Sequence, residues 1–278
     1  MPDFRHAICN EIYKDWDFRQ ACQSIRSIGY TGIEIAPFTL AADPLDVSPT
    51  QREEYRRIMG GEGLTFVGLH WLMVSPRTLH VTTPDDALRN ASWEYVSNLI
   101  DLCADLGPGG VMVFGSPKQR GTTGGSTCEE ATRRWREGLT HVAPKAEDRG
   151  VTILVEALPS GQCDVVKTLE EAVAMVHEIG SPAVQTMFDS HNAADEVENH
   201  ATLVDRYFDY IRHVHVNEMD GGHPGTGDYD FLPIFDVLHQ RGYSGWISLE
   251  AFNFEAGSEN IARESLRYLE SVIERVPQ

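Results

Sequence analysis

Short apolar runs alternate with longer amphipathic ones along the whole chain. Runs at 4–9, 32–36, 64–70, 110–115, 151–157, 184–189, 211–217 and 246–251 have the length and the Val, Ile and Phe content of buried strands. Between them, apolar positions recur with helical period near 17–28, 49–62, 86–106, 127–149, 168–180, 198–208, 231–242 and 258–275. Gly29, Gly150 and Gly242 follow three of these helices, where a left-handed cap residue is wanted. Ser126 or Thr127, with Glu129 and Glu130 just after, opens the fourth.

Eight β–α units predict an α/β fold, a (β/α)8 TIM barrel, as a single domain spanning 1–278. A doubly wound sheet fits less well, because the first strand runs into NEIYKDW and not into a GxGxxG turn. The longest stretches without periodicity, 72–85 and 116–126, each follow a predicted strand and would be loops on the catalytic face.

Composition narrows the partners. The formal charge is −19 over 278 residues, and the densest basic cluster, ATRRWRE at 131–137, has acids on both sides. Such a surface repels phosphate backbones and anionic membranes, so no nucleic-acid or membrane partner is expected. Five widely spaced cysteines, Cys9, Cys22, Cys103, Cys128 and Cys163, contain no CxxC. That suits a reducing compartment, and with no signal-like N-terminal run the expected location is cytoplasmic.

In a barrel, the C-terminal ends of strands carry the chemistry. The fifth ends at Glu156, the sixth at Asp189 with His191 close behind, the seventh carries His213 and His215, and the eighth ends at Glu250. One such residue alone is usually a solvated loop group or a satisfied core residue. Four successive strand ends converging on one half of the mouth are harder to dismiss, because clustered carboxylates resist ionising together. A divalent cation removes that penalty, and two Glu, one Asp and one His suit Mn²⁺, Mg²⁺ or Co²⁺ better than a structural zinc. His215 is nearer the mouth than His213 and is the better ligand of the two. Further candidates for contact with a substrate are His70 and Trp71 after the third strand, Glu34 at the end of the second, where a structural ion pair is the equal alternative, Lys118 and Arg120 in FGSPKQRGTTGG, and His223 in the seventh loop.

VEAL (155–158), FDSHN (188–192), HVHVNE (213–218), PGTGDYDF (224–231), ISLEAF (247–252) and GIEI (32–35) together resemble the xylose isomerase-like TIM-barrel superfamily. The closer resemblance is to its sugar phosphate isomerase/epimerase branch: ketose 3-epimerases of the D-tagatose 3-epimerase type, hydroxypyruvate isomerases and inosose dehydratases. The resemblance implies that Glu156, Asp189, His215 and Glu250 bind one divalent metal, Mn²⁺ in first place. It implies that Glu156 and Glu250 also move a proton at the carbon beside a sugar carbonyl, through an enediolate. His191 and Gln162 would touch substrate, and barrels of this branch are often dimers or tetramers.

Three departures stand out. Gln162 replaces a second glutamate of the ketose 3-epimerases, Gly221 replaces an arginine, and His191 follows Asp189 by two residues and not three. The expected function is therefore a metal-dependent isomerase or epimerase of a small keto-sugar. The alternative is a lyase on the same centre, either an inosose-type dehydratase or an enzyme releasing the aglycone of a 3-keto glycoside. An abasic-site endonuclease is disfavoured by the acidic charge, and a silent binding barrel by the four polar strand ends.

Overall fold

A computed structural model describes residues 3–76 and 78–277. Eight parallel strands close into a barrel in sequence order: β1 (Arg5–Cys9), β2 (Gly32–Ile35), β3 (Thr65–Leu69), β4 (Val111–Phe114), β5 (Thr152–Val155), β6 (Val184–Asp189), β7 (Ile211–Val216) and β8 (Trp246–Leu249). β8 pairs back onto β1, with Ala7 opposite Ser248 and Ile8 opposite Leu249. This is the TIM barrel that the alternation of apolar runs predicts.

Helices wrap the strands: α1 (Phe18–Ile28), α2 (Pro49–Gly61), α3 (Asp86–Leu106), α4 (Pro117–Arg120), α5 (Cys128–Asp148), α6 (Leu169–Ile179), α7 (His200–Tyr207), α8 (Leu232–Gln240) and α9 (Ser258–Ile273). Their starts follow from capping chemistry. The Asp17 carboxylate accepts the Arg19 and Gln20 amides at the head of α1. Ser48 with Gln51, and Thr127 with Glu130, form reciprocal capping boxes on α2 and α5. Among the described residues no helix is long and apolar enough to cross a membrane.

Two features depart from the sequence reading. The 116–126 segment, expected to be an irregular loop, contains the short helix α4. The strands are also shorter than the apolar runs, so Glu156 and Glu250 lie one residue beyond β5 and β8. Two register shifts fall beside polar residues: one between Ile33 and Glu34 on β2, one between Thr186 and Phe188 on β6. An irregularity of this kind re-aims the side chains beyond it.

Candidate active site

The ends of β5, β6, β7 and β8 bring Glu156, Asp189, His215 and Glu250 together, each offering one ligand atom within 4.8 Å of the others, all buried. His215 orients the group. Its Nδ1 lies 3.2 Å from Glu250 Oε2 and 3.5 Å from Asp189 Oδ2. Its Nε2 points the other way, 3.1 Å from both oxygens of Glu34. Glu34 also lies 2.8 Å from His213 Nε2. A carboxylate behind an imidazole holds the proton on the rear nitrogen and leaves the front nitrogen free to act as a ligand.

Two residues, Asn192 and Trp71, hold the three carboxylates. Asn192 donates from Nδ2 to Glu156 Oε1 at 2.9 Å and from its backbone amide to Asp189 Oδ1 at 2.7 Å. Trp71 donates from its indole Nε1 to Glu250 Oε1 at 2.8 Å. Gly115, just after β4, leaves room for Glu156, since a Cβ there would lie 2.1 Å from Glu156 Oε2.

The electrostatics follow from the crowding. Burial first, then the charges of Asp189 and Glu250, push the Glu156 carboxyl up to about 8. Glu250 is raised as well, chiefly by burial. Burial also opposes ionisation of Asp189, but the hydrogen bond and charge of His215 outweigh it and lower its pKa. For His215, burial disfavours the cation, while Glu34, Cys9 and Glu250 raise its pKa well above the usual range.

Glu156 and Glu250 edge a cavity of about 470 Å³. Its walls are Trp71, Val74, Pro117, Lys118, Leu158, Gln162, Asn192 and Phe252, a mostly apolar enclosure with a polar floor. Trp71 lies in a parallel stack with Phe252, their ring centroids 5.9 Å apart.

The model of the xylose isomerase-like TIM barrel family matches residues 22–272. The chain belongs to the xylose isomerase-like TIM barrel family. The ketose 3-epimerase of Arthrobacter globiformis is 26% identical over 189 residues, which are 66% of this chain and 63% of that enzyme. The L-ribulose 3-epimerase of Mesorhizobium japonicum is 26% identical over 192 residues, 66% of this chain and 62% of that enzyme. The matched part thus spans less than two thirds of either relative. An inosose dehydratase of Clostridium beijerinckii is 26% identical over 145 residues, covering 44% of this chain and 48% of that protein. Among solved structures, an L-ribulose 3-epimerase shares the fold with a TM-score of 0.85 at 20% identity, covering 98% of this chain and 95% of that one.

The other residues singled out from the sequence divide into two sets. Trp71, Lys118 and Gln162 line the cavity. His191 stands at its rim, 5.1 Å from the Phe252 ring, with Gln162 Nε2 3.4 Å from its Nε2. The remaining four do not line the cavity, which corrects their reading as substrate contacts and leaves Glu34 with the structural ion pair that was its alternative. Glu34 is fully buried behind His215, and His70 is fully buried with its Nε2 2.7 Å from Glu11 Oε2. Arg120 is buried with its guanidinium over the Trp135 ring at 4.3 Å, donating to the Glu156 carbonyl at 2.7 Å. His223 is buried and pairs with Glu264, its Nε2 3.3 Å from Glu264 Oε2.

The sequence reading missed Asn192, Phe252 and Glu11. Asn192 stands in FDSHN, three residues after Asp189, close enough to have been paired with it. Phe252 explains the departure at Gly221. That glycine has φ +81°, and a Cβ on it would lie 2.9 Å from the Phe252 ring. An aromatic ring from the eighth loop fills the space beside Gly221.

Proposed function

We propose that this chain is a divalent-cation-dependent isomerase or epimerase of a small keto-sugar or sugar derivative. The observation that carries the reading is the buried Glu156, Asp189, His215 and Glu250 cluster, with both glutamates on the floor of a sugar-sized cavity. The donor set fits a hard divalent cation. Three carboxylate oxygens and one imidazole nitrogen converge, and the Glu156 and Glu250 carboxyls are raised first by burial and then by neighbouring carboxylates, a cost to ionisation that a cation would offset. Mn²⁺ is the first choice, with Mg²⁺ and Co²⁺ as alternatives. When bound, the cation supplies positive charge at the substrate oxygens where negative charge develops.

The chain's own residues account for the rest. Glu156 and Glu250 move the proton at the carbon beside the carbonyl, one removing it and the other able to return it. Asn192 and Trp71 each hold one oxygen of these glutamates, fixing the direction of the other. Trp71 and Phe252 line the cavity with stacked aromatic surface. Sugar epimerase activity is further supported by the similarity to a ketose 3-epimerase and an L-ribulose 3-epimerase. The proposed setting is the cytoplasm, with dimer or tetramer formation as in the resembling branch.

A lyase reading stands second, favoured by Gln162 and by the Phe252 ring beside Gly221. Both change the pocket while leaving the four-residue cluster in place. The deciding experiment incubates keto-sugars and 3-keto glycosides with the protein and Mn²⁺ in D₂O, followed by NMR. Deuterium at the carbon beside the carbonyl in an isomer of the substrate supports the epimerase. An unsaturated product supports the lyase. No exchange and no divalent cation bound at micromolar levels sinks both.

A further inference from the structure

Behind the Glu34–His215 pair lies a second group of ligand-type side chains that the proposed reaction does not use. Cys9 ends β1, Glu11 sits in the 3-10 turn Asn10–Tyr13 just after it, and His70 directly follows β3. All three are at most 1% exposed, and each offers a sulfur, oxygen or nitrogen atom within 4.8 Å of the other two. His70 Nε2 is 2.7 Å from Glu11 Oε2. The other half of each group is unsatisfied: Glu11 Oε1 and His70 Nδ1 are buried and have no hydrogen-bond partner. Buried polar atoms are nearly always paired, so two orphans in one cluster point to a missing ligand.

We propose that Cys9, Glu11 and His70 form a second cation site that takes a thiophilic divalent ion of the Zn²⁺ type. One thiolate, one imidazole and one carboxylate make a soft, mixed donor set, whereas the Glu156 cluster is oxygen-rich. The two sites would therefore prefer different metals. Glu34 and the His215 ring form the partition between them. His215 Nδ1 faces Asp189 and Glu250, while its Nε2 lies 4.0 Å from Cys9 Sγ. Glu34 Oε1, 3.8 Å from His70 Nδ1, stands within a small movement of supplying a fourth ligand. Binding converts the Cys9 thiol to a thiolate and releases that proton to solvent. The ion would tie the turn after β1 to the end of β3. The residue after His70 is Trp71, so filling this site would also fix the residue that holds Glu250.

The rival account has no ion: a protonated His70 bridges Glu11 and Glu34. Cobalt distinguishes the two. The full chain carrying Cys128→Ser, which removes the exposed thiol, is stripped with chelator and titrated with Co²⁺. The expected result is two cobalt ions per chain and a near-ultraviolet thiolate-to-cobalt band. Cys9→Ser should remove the band and one ion. Glu11→Gln, which keeps the thiol, should weaken cobalt binding at this site at least tenfold. Glu156→Gln should keep the band, so a failure of the catalytic centre is told apart from a failure of this site. Absence of the band in both the parent and Glu156→Gln, or a band that survives Cys9→Ser, overturns the proposal.

Discussion

The Trp71 indole donates a 2.8 Å hydrogen bond to Glu250 Oε1, although the two residues are 179 positions apart and belong to loops three strands apart around the barrel. Trp71 achieves this from a left-handed backbone, φ +50°, unusual for a bulky side chain. Its ring also stacks near Phe38 and Phe252. Packing holds this uncommon conformation in place, and such backbone outliers cluster at functional sites.

Trp71→Phe keeps an aromatic ring and removes the N–H. A hydrogen bond to a charged acceptor is worth about 1.5–3 kcal/mol, so kcat should fall roughly 10- to 100-fold with KM little changed. Steady-state kinetics on the substrate found in the D₂O screen checks this. An unchanged kcat with a raised KM would assign Trp71 to substrate contact instead.

Glu156→Gln and Glu250→Gln should each reduce deuterium exchange by about 10²- to 10⁴-fold, the usual worth of a positioned general acid or base. NMR in D₂O measures it. Exchange that persists in both variants would remove these glutamates from proton transfer.

Stability should depend on pH in a direction set by Glu156. Its pKa rises from 4.5 to about 8 in the folded, metal-free protein. A raised carboxyl stabilises the fold fully below 4.5, and that contribution is lost as pH climbs through about 8. The thermal midpoint of metal-free protein should therefore fall between pH 5 and pH 8, roughly in step with this loss. Excess Mn²⁺ at the upper end should restore it, because an ion that binds only the folded state raises its stability. A Glu156→Gln variant should show a flatter profile. Differential scanning calorimetry across this range is the check.

Glu34→Gln retains a hydrogen-bonding group behind His215 but removes its charge. Loss of such a supporting carboxylate typically weakens metal affinity by about 10–100-fold. Calorimetric titration with Mn²⁺ measures it, and an unchanged affinity would reduce Glu34 to a packing role.

The barrel was legible because its signal is local and repeated. Eight apolar runs and their intervening amphipathic helices each announce themselves within a few residues. The strand-end rule then picked out Glu156, Asp189, His215 and Glu250, which the structure brings together. It worked less well for Glu34. Alternation along a strand loses phase at a register shift, and one falls between Ile33 and Glu34. Arg120 was misread for another reason. Its Gly- and Thr-rich surroundings look solvated, and nothing nearby in sequence announces the Trp135 ring from α5 that buries it. Glu11 was missed because its partner, His70, is 59 residues away.

Gly221 and Phe252 impose an order on how this pocket can change. The Gly221 carbonyl accepts the Phe252 amide at 2.9 Å, and the Phe252 ring occupies the space that any side chain at 221 would enter. An arginine introduced at 221 alone meets both a left-handed backbone and an occupied space. Shrinking Phe252 first opens that space but removes the ring stacked on Trp71. Either single change therefore disturbs a contact that the present pocket makes. Positions 221 and 252 are thus coupled, and the shape of the pocket at one depends on the side chain at the other.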